Sequence, residues 1–219
     1  MLQTKEYRHF RNAVLFSLLL ALVVAVFLSL YGKENSFLVI NRYNSPQFDY
    51  VFRYWTYLGD GMIWVPLFVY VLLFKRDYFF AVLAGLIICT LLTQGLKRFV
   101  FPNDFRPIVI LAEKVRTIPG YYINRLHSFP SGHTSTAFTL ALLLVTIVKK
   151  SFWVYFFPLI AFFVGYSRVY LAQHFVTDVL AEMFIGIASA WLSLLLYEQL
   201  RKRKQKMKME TIENENEFR

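Results

Sequence analysis

The chain contains the segment AVLFSLLLALVVAVFLSLY at residues 13–31, in which no side chain carries a charge. A surface helix of a soluble domain would place polar side chains along one face, whereas this segment is apolar on every face. Because the hydrocarbon core of a bilayer is about 30 Å thick, a helix needs roughly 20 mostly apolar residues to cross it. The segment therefore predicts a transmembrane helix. We interpret it as uncleaved, because no small-residue cleavage site follows it near residues 28–33.

Five more apolar stretches follow, and each can span a membrane if neighbouring helices satisfy its polar groups. They lie at Leu58–Phe74, Tyr78–Leu96, Ser135–Val148, Phe152–Ser167 and Val179–Tyr197. The composition agrees with this interpretation, since 57% of the residues are hydrophobic and only 17% are charged. We therefore predict an all-α fold, a bundle of six transmembrane helices. It comprises a leader at residues 1–12, a six-helix membrane domain at 13–200 and a basic, then polar, disordered tail at 201–219.

The chain has a net charge of +10, and its clusters of Lys and Arg lie mainly beside the apolar segments. The sequence contains no recognisable nucleic-acid-binding motif. With six spans, the amino terminus, Lys75–Arg76, Lys149–Lys150 and the basic stretch after residue 200 all fall on one side. Short basic segments usually face the cytoplasm. The pattern predicts cytoplasmic termini, with the long connections at the outer face. We expect a lipid bilayer and no nucleic acid as partners, and the sequence leaves the oligomeric state open.

Three polar stretches fall at the predicted outer face, and their side chains suit an anion. Lys97, Arg106 and Arg168 supply cations, and a guanidinium matches phosphate oxygens in pairs. Ser131 and the backbone N–H of Gly132 add neutral donors at the start of a helix, where the helix dipole favours an anion. We predict that these five residues bind phosphate. We expect no metal and no cofactor, since these stretches lack a carboxylate cluster for magnesium.

Two histidines near these cations suit two different steps of phosphoryl transfer. His174 and Asp178 are four residues apart, so on a helix they would share a face. The carboxylate would then hold one imidazole nitrogen and leave the other free to attack phosphorus. His133 comes from another stretch and would protonate the leaving oxygen. We predict His174, Asp178 and His133 as the catalytic residues.

These stretches resemble the motifs of the type 2 phosphatidic acid phosphatase superfamily, which read K-x6-R-P, P-S-G-H and S-R-x5-H-x3-D. The second is intact at residues 130–133 and the third at residues 167–178. The resemblance implies His174 as the nucleophile, Asp178 as its partner and His133 as the acid. It also implies phosphate binding by Ser131, Gly132 and Arg168. The first motif departs from the pattern, because Lys97 stands two residues too far from Arg106, and Arg98 one residue too far.

The leading functional hypothesis is a phosphatase of the bacterial inner membrane, with its active site at the periplasmic face. It would hydrolyse a phosphate or diphosphate of a membrane lipid through a phosphohistidine. Phosphatidylglycerol phosphate, polyprenyl diphosphate and the phosphates of lipid A are candidate substrates. Phosphoryl transfer to a second lipid would use the same intermediate. A transporter with an anion site is disfavoured, because such sites usually lie near the midplane. A further carboxylate, Glu182, lies in an apolar run, and we expect it to support the site indirectly.

Overall fold

A computed structural model describes residues 4–126 and 128–217 of the chain. Helices dominate this part, and the sole β contact among the described residues is an isolated antiparallel bridge between Phe105 and Leu126. The α-helices in chain order are α1 Thr4–Arg42, α2 Pro46–Trp55, α3 Trp64–Phe74, α4 Phe79–Gly95, α5 Pro107–Ile110, α6 Gly132–Val148, α7 Trp153–Tyr170 and α8 Val176–Glu217. Short 3₁₀ turns at Thr56–Gly59 and Gly61–Ile63 join α2 to α3, and a π-helical turn at Leu96–Val100 follows α4.

The fold is therefore all-α, as predicted, and it is that of a multi-pass membrane protein. Among the described residues, four helices are long and apolar enough to cross a membrane. A fifth span is reached if the pair 46–59 and 61–74, which is bent by 58°, counts as one. The helix α3 has 11 residues and so extends only about 16 Å, which is why it does not qualify alone. All six predicted segments lie largely within helices, but six spans stay a prediction.

The helix α6 occupies the centre of the bundle, where nearly all its side chains are buried against α4, α7 and α8. Glycine allows the closest of these contacts. A Cβ at Gly186 of α8 would lie 2.6 Å from the Cβ of Phe138 and 2.7 Å from the carbonyl oxygen of Ser135. The Thr139 hydroxyl also donates to Ser135, at 2.7 Å, inside α6. Small residues and internally bonded hydroxyls thus let membrane helices pack tightly without leaving polar groups in lipid.

One end of the bundle is covered by the end of α1 and the connection between α5 and α6. Gly32 interrupts α1 with a φ of 71°, and the following turns of α1 carry Asn41 over the bundle. The buried Asn41 amide donates to the carbonyl oxygens of Arg116 and Tyr170, at 3.0 and 3.1 Å. Arg116 also forms an ion pair with Asp49 of α2. These contacts hold the connection between α5 and α6 onto the helix ends.

The opposite end of the bundle gathers the residues predicted to face the cytoplasm. Buried Glu6 forms an ion pair with Lys149 and accepts a hydrogen bond of 3.1 Å from the Tyr78 hydroxyl. The predicted leader is thus part of α1 from Thr4 onward. The structure likewise continues α8 as helix to Glu217, where the sequence suggested a disordered tail. The first three and last two residues lie outside the described part.

Candidate active site

The three polar stretches converge at the end of the bundle opposite the Glu6 and Lys149 pair. Lys97 lies in the π-helical turn after α4, Ser131 immediately precedes α6, and Arg168 lies in the last turn of α7. His174 follows in the short connection between α7 and α8, within electrostatic range of Lys97, Arg106 and Arg168. Residues more than 70 positions apart in the chain therefore line one site.

His174 is almost wholly buried, with 2% of its surface exposed. Its Nδ1 lies 3.4 Å from Oδ2 of Asp178, which leaves Nε2 as the nitrogen free of this partner. One detail of the prediction was wrong: the two residues do not share a helix, because His174 stands two positions before α8 begins at Val176. A turn positions His174 instead, with its backbone N–H donating to the Arg168 carbonyl at 3.3 Å.

Asp178 is held by several donors at the first turn of α8. Its Oδ2 accepts the backbone N–H of Phe175 at 3.1 Å, the return bond of a capping box. The same oxygen accepts the Ser128 hydroxyl at 2.6 Å, and Oδ1 accepts the Thr177 hydroxyl at 3.0 Å. Three donors from two chain segments therefore fix the carboxylate beside His174.

Burial and the neighbouring cations set the charge of the imidazole. Burial lowers the pKa of His174 well below its ordinary value, and Arg106, Arg168 and Lys97 lower it further. The ring is therefore neutral near pH 7, which is the form that can attack phosphorus. Burial, with a contribution from Arg168, also lowers the pKa of Arg106, to about 10. Arg106 still carries its charge at neutral pH.

Arg106 is oriented by contacts with residues outside the three motifs. Its Nη1 donates to the side chain of Gln173 at 2.6 Å and to the carbonyl of Gln173 at 3.0 Å. Its Nε donates to the carbonyl of Leu126 at 3.1 Å. These bonds hold the buried guanidinium at the site from its position directly before α5. Gln173 directly precedes His174, so one short segment carries the imidazole and positions a cation.

Arg168 and Lys97 complete the set of cations. Nη1 of the buried Arg168 donates to the Thr56 hydroxyl at 2.9 Å, whereas its Nε has no hydrogen-bond partner in the part of the chain that the structure describes. Lys97 is partly buried and lies near Arg106 and Arg168, while its neighbour Arg98 is exposed. The π-helical turn explains the irregular spacing, because its wider turn and the following turn at residues 102–103 accommodate the extra residues. The position favours Lys97 over Arg98 as the cation of the first motif.

The start of α6 forms the remaining wall. Ser131 precedes its first turn, and the buried Ser131 hydroxyl has no hydrogen-bond partner within residues 4–126 and 128–217. Gly132 begins the helix and has open space around its Cα, apart from a Thr93 methyl group 3.9 Å from where a Cβ would lie. His133 is half-buried, and its Nε2 lies 3.7 Å from Oδ2 of Asp60. An anion here would meet the helix N-terminus and unpaired donors.

Glu182 lies one turn beyond Asp178 and is fully buried. Neither of its oxygens has a hydrogen-bond partner among the described residues, and Ser131, Thr134, Lys97 and Asp178 lie within electrostatic range. In residues 4–126 and 128–217, no group of three or more His, Cys, Asp or Glu side chains is arranged to hold a metal ion. The cations and the unpaired donors suit an anionic ligand with several oxygen acceptors, such as phosphate.

Comparisons with known proteins agree with this geometry. A family model described as the PAP2 superfamily matches residues 76–202. A lipid A 4'-phosphatase of Porphyromonas gingivalis is 28% identical over 71% of this chain and 68% of its own. An undecaprenyl-diphosphatase of Sulfolobus acidocaldarius is 28% identical over 81% of this chain and 86% of its own. The crystal structure of Aquifex aeolicus LpxE is 33% identical, with a TM-score of 0.66, and covers 74% of this chain and 94% of its own.

Proposed function

The chain belongs to the PAP2 superfamily and is a membrane phosphatase, and from that premise we propose that it hydrolyses a lipid phosphate or diphosphate through a phosphohistidine at His174. One observation carries the mechanism: a buried, neutral imidazole lies within electrostatic range of Lys97, Arg106 and Arg168 at one end of an apolar bundle. Such a group is a nucleophile next to a binding site for the phosphate that it would attack.

In the first step, Nε2 of His174 attacks phosphorus and the bond from phosphorus to the leaving oxygen breaks. Asp178 keeps Nδ1 oriented, so that the lone pair of Nε2 points at the substrate. His133 gives its proton to the leaving oxygen. The three cations offset the charge of the equatorial phosphoryl oxygens, and preorganised charges of this kind supply much of the rate of phosphoryl transfer.

In the second step, water attacks the phosphohistidine. His133, now neutral, takes a proton from the water, the bond from phosphorus to Nε2 breaks, and inorganic phosphate leaves. His133 is 27% exposed at its side chain, which suits a group that must reach both the leaving oxygen and the incoming water. The deeper His174 is protected from solvent, which suits a nucleophile.

A lipid substrate fits the position of the site at the rim of the bundle. An apolar cavity of about 350 Å³ begins at Leu58 and Ala137, one helical turn from His133, and continues along α6 to Leu144. A headgroup at the cations would place its acyl or prenyl chain along this apolar wall. The relatives support a lipid A phosphate or a polyprenyl diphosphate as the substrate class, and phosphatidylglycerol phosphate is the third candidate.

We further propose that six spans place the site at the outer face of the bacterial inner membrane, with both termini in the cytoplasm. The support is the charge at the other end of the bundle, where Arg76, Lys149, Arg201 and Lys204 border one cleft. Basic residues near the ends of spans favour the cytoplasmic side.

The test is a phosphate-release panel with the purified protein in detergent. Lipid A, undecaprenyl diphosphate, phosphatidylglycerol phosphate and a water-soluble phosphate ester would be compared without any acceptor lipid. We expect release from at least one lipid, and acid-labile, alkali-stable radiolabel on the protein after rapid quenching. His174→Ala should lose both signals while eluting as a folded protein. Release that persists in His174→Ala would overturn the assigned nucleophile, and label transfer only to an added lipid alcohol would indicate a phosphotransferase.

A further inference from the structure

Asp60 lies where the sequence offered no motif, at the corner between the two 3₁₀ turns that join α2 to α3. The preceding residue, Gly59, brings this corner against α6. A Cβ at Gly59 would lie 2.4 Å from the His133 carbonyl oxygen and 2.6 Å from a methyl group of Val164. A side chain at this position would therefore push the corner away from the first turn of α6.

The Asp60 carboxylate is fixed in its orientation. Its Oδ1 accepts the backbone N–H of Met62 at 2.9 Å and so caps the second 3₁₀ turn. This leaves Oδ2 directed to His133, at 3.7 Å from Nε2. The same corner carries Thr56, whose hydroxyl accepts the hydrogen bond of Arg168. The corner between α2 and α3 thus lies against both His133 and Arg168.

His133 is surrounded by positive charges, so the nearby Asp60 carboxylate affects whether the ring is protonated. Four groups lie within electrostatic range of the ring: Lys97 from the π-helical turn, Arg106 directly before α5, Arg168 from α7 and His174 from the turn before α8. All the cations in this set oppose a positive charge on His133. Among the described residues, Asp60 is the carboxylate at ion-pair distance from the ring. An acid needs its proton when the leaving oxygen departs, and a carboxylate at this distance favours the protonated ring.

We propose that Asp60 is a positioning residue that holds protonated His133 toward the leaving oxygen. This inference rests on the proposed function. Asp60 touches neither phosphorus nor the nucleophile, and it neither gains nor loses a proton during the cycle: the proton passes from His133 to the leaving oxygen and returns from water. Its contribution should therefore depend on how much the leaving group needs a proton.

The test compares Asp60→Asn on two substrates. The asparagine oxygen can still accept the Met62 N–H, so the cap is kept while the charge is removed. On the lipid phosphate, whose alkoxide leaves poorly, we expect kcat to fall about tenfold at pH 7.5 or above, following the size of general acid catalysis and of one unit charge. On p-nitrophenyl phosphate, whose phenolate leaves without a proton, we expect a change of less than about twofold.

A pH profile gives the second readout. Removing the negative charge should move the alkaline limb of kcat for the lipid substrate to lower pH, by about one unit for a charge roughly 4 Å away in a partly hydrated site. Asp60→Glu should restore part of the lipid activity, and Asp77→Asn, at the opposite end of the bundle, should leave activity unchanged.

Three results would overturn the inference. An equal loss of kcat on both substrates in Asp60→Asn would indicate a purely structural role for the corner. Wild-type kcat on both substrates, with an unmoved alkaline limb, would show that the charge of Asp60 does not contribute to catalysis. If the wild-type protein releases phosphate from none of the substrates, the proposed function itself is refuted and this inference with it.

Discussion

Replacing Ser128 by alanine should weaken catalysis although Ser128 belongs to none of the three motifs. Its hydroxyl donates to Oδ2 of Asp178 at 2.6 Å, inside the protein. A hydrogen bond to a charged group contributes about 1.5–3 kcal/mol, and about 1.4 kcal/mol corresponds to a tenfold change. The full interaction would thus be equivalent to roughly a 10- to 150-fold change in rate.

The structure narrows this range. The Phe175 N–H and the Thr177 hydroxyl still hold the carboxylate in Ser128→Ala. We therefore expect a loss near the lower end, about tenfold in kcat/KM, because Asp178 would orient His174 less firmly. The assay is the initial rate of phosphate release from the preferred lipid in mixed micelles, over a range of substrate concentrations.

A matched control separates this effect from the loss of a buried hydroxyl. Ser189, also in a buried setting, donates at 2.7 Å to the carbonyl of Ile185 within α8, far from the site. Ser189→Ala should keep wild-type kinetics. If the two variants have the same kcat/KM and both remain folded, the hydrogen bond from Ser128 to Asp178 does not support catalysis.

Two further predictions concern the charges of the site. Lys97→Gln should lower kcat/KM at least about tenfold, since Lys97 is turned toward the other cations, whereas Arg98 is exposed. Arg98→Gln should keep kcat/KM within about twofold of the wild-type value. Equal effects of the two changes on phosphate release would contradict the assignment of Lys97. Glu182→Leu should raise the inhibition constant for inorganic phosphate severalfold, because it removes the carboxyl group beside Ser131 and Lys97. It should also raise Tm, because that carboxyl group is fully buried and has no hydrogen-bond partner among the described residues. An unchanged inhibition constant and an unchanged Tm would show that Glu182 does not act on the site.

The motif residues were predictable because their spacing is local. The intact third motif gives Arg168, His174 and Asp178 their order along one stretch, and the comparisons confirm the family that this motif indicates. The geometry within the motif was less predictable, since a turn rather than a helix carries His174. The catalytic and binding roles of these residues stay predictions that the variants described above can test.

The first motif shows why spacing alone can mislead. By residue count, Lys97 and Arg98 both lie too far from Arg106 to match the first motif. A residue count does not show where the helix departs from regular α-helical geometry. The π-helical turn at Leu96–Val100 changes the direction of each side chain relative to an α-helix. Only the backbone path distinguishes the inward lysine from the exposed arginine.

The sequence by itself determined that the chain lies in a membrane, which family it belongs to, and which side chains can carry the chemistry. Apolar length and motif spacing are properties of neighbouring residues, so they can be read along the chain. Tertiary structure decided the partners that orient those side chains. The hydrogen bond between Ser128 and Asp178 joins residues 50 positions apart in the sequence. The bond between Arg106 and Gln173 joins residues 67 positions apart, and the bond between Arg168 and Thr56 joins residues 112 positions apart. Contacts over such separations depend on how the helices pack, and no local pattern specifies that.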